Sequence, residues 1–352
     1  MIYLQATTPG ALHEAVPGIS LQEARKIVGA VHRRDSLPRS VKMVRRAALD
    51  AVRAISVLPR LDVGSIHHSS IDPFVKYACT TPDQLVVETV RIPLEQPGRF
   101  SVCVSSQAGC DLGCRFCATG RAGLSRSLEP WEIVEQVRIV RRGLDRSKGQ
   151  RVRGVVFQGM GEPLANLESV MHAVRVLCEP SAQAIDSRAV TVCTAGIPHG
   201  IRRLADEAPK VRVAISIGSA RPAVRRALMP IDRAYPLEQV IDAVIDHARV
   251  TGIAPMWAVT PLAGINDTEE DARALAVHAR RFFAATGLRP QISIIPYNPI
   301  DAPERERFER SGDDREAAFR DVLREEGFSS RKRYSGGGDI RAACGQLCGP
   351  SE

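Results

Sequence analysis

Beyond residue 100 the chain repeats one pattern, a short apolar run of strand character followed by an amphipathic helical stretch. Six such runs stand at 100–105, 154–158, 189–194, 211–217, 253–259 and 291–295. Between them lie helical segments such as 167–177, where Val170, Met171, Val174 and Leu177 share one face. Strands that alternate with helices read as βαβ units in a parallel sheet. Eight units close a barrel; the six found here predict an α/β fold built as an open, partial (β/α)6 barrel. In parallel architectures the functional groups gather at the carboxyl ends of the strands.

Residues 1–99 read as a small helical and β accessory region, a candidate nucleic-acid-binding part, ahead of a core at 100–335 and a C-terminal segment at 336–352. Ser20-Leu21-Gln22-Glu23 is a capping box, and Leu21, Ala24, Ile27, Val28 and Val31 follow at helical spacing. A second helix is expected after Ser40, with Val44, Ala48, Val52 and Ile55 on its apolar side and Lys42, Arg45, Arg46 and Arg53 elsewhere. From 84 to 92 the pattern turns strand-like.

Hydrophobic residues at 44% and charged residues at 25% are ordinary for a soluble protein and exclude a disordered or collagen-like chain. No run approaches the ~20 apolar residues that span a bilayer. No signal peptide is visible, so a cytoplasmic protein without membrane association is expected. Lys and Arg outnumber Asp and Glu by 48 to 40, which makes a polyanion a candidate partner. Arg138, Arg141, Arg142, Arg146, Lys148, Arg151 and Arg153 face a single acid, Asp145, and Arg331, Lys332 and Arg333 form a second basic cluster.

The nine cysteines are an odd number in a chain without an export signal, which favours reduced thiols, metal ligands or catalysis over a disulfide framework. Just after the first strand of the core, Cys110, Cys114 and Cys117 form a CxxxCxxC loop. A structural zinc site takes four ligands, and no second Cys or His pair stands at matching spacing. A cubane iron–sulfur cluster normally takes four thiolates, so three leave one iron open to a ligand. This spacing is the signature of the radical S-adenosylmethionine (SAM) superfamily, in which SAM occupies that iron of a 4Fe-4S cluster. The other strand ends supply polar groups: Gly159-Met160-Gly161-Glu162-Pro163, Cys193 with Thr194, Ser216, and Asn298. A carboxylate such as Glu162 suits the α-ammonium of an amino acid.

Further stretches resemble the RlmN/Cfr family of radical-SAM RNA adenine methyltransferases. They are Val87-Glu88-Thr-Val-Arg-Ile-Pro93, Cys103-Val-Ser-Ser-Gln-Ala-Gly-Cys110, Gly159-Met-Gly-Glu-Pro163, Leu228-Met-Pro-Ile231, Gly264-Ile-Asn-Asp267, Ile295-Pro-Tyr-Asn-Pro299 and Gly338-Asp-Ile-Arg-Ala-Ala-Cys344-Gly-Gln-Leu347, in order over about 88–348. The resemblance implies that Cys110, Cys114 and Cys117 hold the cluster and that Gly161, Glu162, Ser216 and Asn298 contact SAM. Cys193 stands where a serine is usual, and Ser216-Ile217-Gly218 replaces a Ser-Leu-His stretch, so Cys193, Ile217 and Gly218 are placed with the SAM contacts as departures. The resemblance also implies that Cys344 is methylated during turnover, that Cys103 is its partner thiol, and that Glu88 accepts a proton.

An aromatic carbon of adenine is a poor nucleophile. The implied route therefore loads a methyl on Cys344 from one SAM and activates it with a radical from a second. The link between protein and RNA is then resolved through a Cys103–Cys344 disulfide. The implied partners are ribosomal RNA, with transfer RNA a further candidate, and an external electron donor such as a flavodoxin; a monomer is expected. Two other readings stand beside this one. A radical-SAM enzyme acting on a small molecule or peptide has no need of the Cys103/Cys344 pair. A non-catalytic iron–sulfur or zinc nucleic-acid binder has no use for the polar strand ends. The triglycine Gly336-Gly337-Gly338 before Cys344 suits a mobile loop, and Cys348 has no assigned role.

Overall fold

A computed structural model describes residues 1–348. The two-residue strands β1 (Ile2–Tyr3) and β2 (Ser56–Val57) pair in parallel and bracket three helices, α1 (Pro9–Ala15), α2 (Leu21–Arg34) and α3 (Arg46–Ile55). The expected capping box starts α2: the Ser20 hydroxyl accepts the Glu23 N–H, and the Glu23 carboxylate accepts the Ser20 N–H at 2.9 Å. The same carboxylate accepts the Arg45 guanidinium at 2.8 Å, which ties the start of α2 to the start of α3. Leu12, Ile27, Val28, Val31, Leu49 and Val52 make a small core of their own here.

Three antiparallel strands follow, β3 (Asp62–His68), β4 (Val75–Thr80) and β5 (Val86–Pro93), and β5 pairs antiparallel with β6 (Arg99–Val104). The boundary expected at 99/100 therefore falls inside one continuous sheet. After β6 comes a ribbon of β7 (Gln107–Cys110) and β8 (Gly123–Ser127), with α4 (Ala118–Ala122) between them. Then α5 (Pro130–Arg142), β9 (Arg151–Phe157), α6 (Leu167–Cys178), β10 (Val190–Thr194), α7 (Pro198–Glu207), β11 (Arg212–Ser216), α8 (Pro222–Leu228), α9 (Leu237–Thr251), β12 (Met256–Val259), α10 (Glu269–Thr286), β13 (Gln291–Ile294), α11 (Asp313–Glu325) and β14 (Ser330–Lys332) complete the alternation.

All six expected strands are present, and a seventh parallel strand joins them at β14. Its Ser-Arg-Lys sequence carries no apolar signal, which is why the pattern alone stopped at six. The sheet order is β14-β13-β12-β11-β10-β9-β6-β5-β4-β3. Apart from the β7–β8 ribbon, each parallel strand from β6 onward lies beside the one before it, so right-handed crossovers put the connecting helices on the same face. The sheet stays open at β14 and β3, giving a partial barrel with an antiparallel extension.

The two faces separate by strand alternation. Val102, Val104, Val155, Phe157, Val190, Val192, Val213, Ile215, Trp257, Val259, Ile292 and Ile294 enter the main core. Trp257, fully buried, meets Phe282 of α10 edge-on at 5.9 Å between ring centres. The intervening residues on the other face, including Cys103, Val156, Cys193, Ala214 and Met256, form separate smaller clusters. No helix among the described residues is long and apolar enough to cross a membrane.

The basic run that looked like one patch is divided by the fold. Arg138, only 3% exposed, pairs with Asp35 and Glu135, and Arg142 pairs with the same two acids. Arg141 donates to Gln183, whose side-chain nitrogen meets His32 at 2.9 Å. These groups fasten the end of α2 to α5. Arg142 is nonetheless part-exposed, and the basic residues from Arg146 on stay at the surface.

Burial holds two histidines well below the ordinary imidazole value. His32 lies at about 3, with Arg138 and Arg141 adding to the effect, and His247 lies at about 4. Between about pH 6.5 and 4 the unfolded chain takes up protons on these rings while the folded chain does not, so stability falls on acidification by about 1.4 kcal/mol per pH unit per histidine. Urea unfolding at pH 7 and pH 5 measures this. The loss over that interval should be smaller by roughly 2 kcal/mol in His247→Gln than in the wild type, and an equal loss would show that burial of this ring does not drive the acid sensitivity.

Candidate active site

Because the parallel strands share one direction, the loops after them open on one rim. A single cavity there is lined by Cys110, Cys114 and Cys117 from the loop after β6, and by Gln158, Gly159, Gly161 and Glu162 after β9. Cys193 and Thr194 at the end of β10, Ser216 and Gly218 at the end of β11, Thr260 after β12 and Asn298 after β13 add to the wall, and Cys344 closes it. The space between atoms amounts to about 1030 Å³, with the open mouth included.

Burial pushes the Cys110 thiol up to about 12 and raises Cys114 as well, with the neighbouring thiols and Glu162 adding to both. Without a cation these thiols stay protonated. A metal centre would reverse that, since coordination deprotonates a thiol. Among the described residues no three His, Cys, Asp or Glu side chains are arranged to hold a single ion. Thiols that line one cavity without converging on one point suit a multi-iron centre, in which each iron takes one thiolate.

The turn after β9 is tightly built. Gly161 has φ +97°, and a Cβ there would lie 2.5 Å from Gln107 Cβ, so only glycine fits. Gln107 Oε1 accepts the Glu162 N–H at 2.8 Å. The Glu162 carboxylate, 3% exposed, accepts the Ala195 N–H at 2.8 Å and the Leu164 N–H at 3.0 Å. Burial raises this carboxyl, while those N–H groups pull it back.

One organising residue was not legible in advance. Arg225 of α8 is fully buried. Its guanidinium donates to the carbonyls of Ala195 at 2.8 Å, Ser216 at 2.9 Å and Ile217, and pairs with Asp232 at 3.1 Å. It thus binds the ends of β10 and β11 together beneath the cavity. Its partners are seven to thirty residues away in the chain, so no local spacing announced it.

A second cavity adjoins the first and shares Cys117, Thr119, Gln158, Gly159, Ile295, Cys344 and Gly345 with it. Its other walls are Cys103, Phe74, Val90, Ile92, Val156, Arg333 and the segment leading to Leu347. The fold has therefore brought Cys103 and Cys344 to one wall. Burial pushes Cys103 up to about 12, with Cys344 adding to the rise and Arg333 opposing it. Water reaches Cys344 through the cavity, yet surrounding atoms still raise its thiol, and Arg333 again opposes. All nine cysteines are free, so the expected Cys103–Cys344 disulfide is not formed in this structure.

The C-terminal segment is fastened rather than loose. Gly336 and Gly337 are buried against Phe74, and the Gly337 N–H donates to Asp72 at 2.8 Å. Asp339 accepts Ser69 and Ser70, both at 2.8 Å. The Ala118 N–H donates to the Gly345 carbonyl at 2.7 Å, and Thr119 donates to the Leu347 carbonyl. Asn298, expected at SAM, spends its amide N–H groups on Ser335 at 2.8 Å and the Cys344 carbonyl at 3.1 Å.

Two expected residues do not reach either cavity wall. Ile217 is buried in the main core and offers only its carbonyl, to Arg225. Glu88, 2% exposed, pairs with Lys76 at 2.8 Å and accepts the Cys348 N–H at 2.9 Å. It shares a face of β5 with Val90 and Ile92, which do line the second cavity. Gly218 has φ +66°, and a Cβ there would meet Met229 Sδ at 2.4 Å, so the departure at this position goes with a site that has no room for a side chain unless Met229 moves.

The radical SAM superfamily pattern matches residues 104–278. A protein of Sorangium cellulosum (strain So ce56) named a probable RNA methyltransferase is 57% identical over 350 residues, 95% of this chain and 89% of that one. Anaeromyxobacter sp. (strain Fw109-5) holds two relatives. One carries the same general name and is 43% identical over 94% of both chains. The other is named a dual-specificity RNA methyltransferase RlmN and is 39% identical over 86% of this chain and 77% of its own. Among solved structures, a radical SAM methyltransferase from Sphaerobacter thermophilus superposes with a TM-score of 0.86 at 32% identity, covering 98% of this chain and 99% of that one. A cysteine loop and a thiol pair meeting at one rim of a partial barrel are thus accompanied by relatives that match nearly end to end, and the chain belongs to the radical SAM RNA methyltransferase family that includes RlmN.

Proposed function

We propose that this protein methylates a ring carbon of an adenine in RNA, with Cys344 carrying the methyl group on its way to the base. Ribosomal RNA is the assigned substrate and transfer RNA a second one. The observation that carries this reading is that Cys344 lies on the wall shared by two cavities, one lined by the CxxxCxxC loop and the other by Cys103. A radical-SAM enzyme of another class has no use for that second thiol.

Membership of the radical SAM family brings with it a 4Fe-4S cluster and SAM. Cys110, Cys114 and Cys117 fit the cluster, being three thiols on one cavity wall, with Cys110 and Cys114 raised by burial. Bound there, the pair would supply one-electron cleavage of SAM and the hydrogen abstraction that makes an S-methyl carbon reactive. Glu162, Thr194 and Ser216, expected at the strand ends, and Thr260, which the fold adds, offer polar groups to an amino-acid moiety. Cys344 accepts a methyl group from SAM as a thiolate, and Arg333, which lines the cavity with both thiols, favours that charge. The apolar walls Phe74, Val90 and Ile92 offer an unstacked base a dry seat.

Cys103 is placed to release the product. Its thiolate attacks the sulfur of Cys344, and the sulfur–carbon bond breaks with its electron pair passing to the carbon. That carbon takes up a proton to complete the methyl group, and the two sulfurs are left as a disulfide that an external reductant reopens. Glu88 is the carboxylate assigned to take the ring proton; to do so its ion pair with Lys76 opens or passes the proton on. We place the reaction in the cytoplasm, where such a thiol pair is returned to the reduced state. A monomer served by an electron donor such as a flavodoxin completes the proposal.

Two measurements test it. Anaerobically reconstituted protein should hold about four irons per chain, and the variant with Cys110, Cys114 and Cys117 all changed to Ala should hold almost none; full iron content in that variant would refute the ligand assignment. Cys344→Ala should abolish RNA methylation while keeping the cluster. Cys103→Ala should instead accumulate a covalent protein–RNA adduct, visible on denaturing gels as nuclease-sensitive material and lost in the double variant. Normal turnover by Cys103→Ala without adduct would overturn the assigned release step.

A further inference from the structure

We infer that a cleft at the amino-terminal rim of the barrel, lined by Arg141, Arg146, Arg151 and Arg153, binds phosphate groups of the RNA chain at a distance from the methylation cavity. The inference rests on the reading of RNA as substrate. The cleft lies between the end of α5 and the start of β9. It is therefore at the opposite end of the parallel strands from Cys344, about 23 Å away along a seven-residue strand.

The lining holds four arginines, with Gln150 and Gln183 as its other polar side chains and no carboxylate. Among the described residues, Arg146, Arg151 and Arg153 make no ion pair, whereas Arg138 and Arg142 on the preceding helix both pair with Asp35 and Glu135. The nearby Asp145 is turned to its own loop, accepting the Ser147 N–H at 3.0 Å with Lys148 at 3.6 Å. Asp186, in the adjoining groove, is held by Arg188 at 2.7 Å.

The backbone itself presents one of these arginines. Phe100 pairs with Val152 and Ser101 with Gly154, so Arg153 is the extra residue of a bulge, and a bulge re-aims a side chain. Arg141 is held in place by Gln183, through both the backbone carbonyl and the side-chain amide oxygen. The helix dipole favours cations near the end of α5 and would account for Arg141. It does not account for Arg146, Arg151 and Arg153, which lie beyond the helix and lack partners. Such a cluster repels itself, and Arg146 and Arg138 depress the Arg141 guanidinium beyond the effect of burial. The cleft continues into a second groove that shares Val152, Arg153 and Ala184, which suits successive phosphates of a chain better than one small anion.

The test compares wild type, R146A/R151A/R153A and R146K/R151K/R153K. Binding of transfer RNA and of a short oligoadenylate is measured over a salt series, and melting midpoints check folding. For transfer RNA, the slope of log K against log salt should fall by about 2–3 in the Ala variant, at about 0.9 per phosphate contact, and stay near wild type in the Lys variant. The oligoadenylate, whose phosphates can occupy the cleft without reaching the mouth, should lose slope in the Ala variant as well. An unaltered slope for transfer RNA in the Ala variant would overturn the inference. Tight binding of inorganic phosphate that the Ala variant loses, with no change in the RNA slope, would mark a small-anion site and also overturn it. Methyl transfer by the wild type to RNA is scored separately. If it is absent while the slope still falls, the substrate reading fails and the cleft stands.

Discussion

The parallel pairing of β6 and β9–β14 is the constraint on which the rest of this molecule depends. With every strand in chain order and every crossover of one hand, helices cover one face and all the strand-to-helix loops open on one rim. Residues scattered from Cys110 to Asn298 become neighbours for that reason alone. Arg225 secures the arrangement where it would otherwise be weakest, because strand ends leave carbonyls without ladder partners. A fully buried guanidinium that binds three such carbonyls and Asp232 satisfies its own donors and their acceptors together.

The rim is electrostatically unusual for a place rich in thiols. Cys103, Cys110, Cys114, Cys193 and Cys344 all have raised thiol values, chiefly from burial, so the protein by itself keeps them neutral. Chemistry at sulfur there needs positive charge brought to it. A metal centre would do this for the loop cysteines, and Arg333 is placed to do it for Cys103 and Cys344. Cys193 takes its place in the wall beside Val156, Ala214 and Met256 as a small apolar residue.

The two rims of the barrel are secured by different means. At the amino-terminal rim, Asp35 and Glu135 share Arg138 and Arg142, a part-buried ion network that would be costly to break because it would leave charges uncompensated. At the mouth, the segment bearing Cys344 is held mostly by hydrogen bonds from backbone and small polar side chains, with Asp72, Asp339, Asn298 and Thr119 as partners. Each such bond contributes only about 1 kcal/mol net. The segment is thus held in register by many contacts that are individually weak.

Local sequence determined the strands and helices wherever periodicity was strong, along with the Ser20 cap on α2 and the cysteine loop with its spacing. These features depend on near neighbours, and near neighbours are visible in a linear chain. The polar strand β14 escaped notice because its place comes from pairing with β13, not from its own side chains. The run from Arg138 to Arg153 looked uniform, yet one part became an internal clamp and the other an unpaired cleft. That division was set by Asp35, Glu135 and Gln183, which the sequence holds apart and the fold brings in. The same holds for Glu88, which acquires Lys76, and for Ile217, which the alternation of β11 turns into the core. Sequence by itself determined which chemistry was available and roughly where along the chain. Tertiary structure decided which groups meet and which are neutralised, because burial and charge pairing act between residues far apart in the chain.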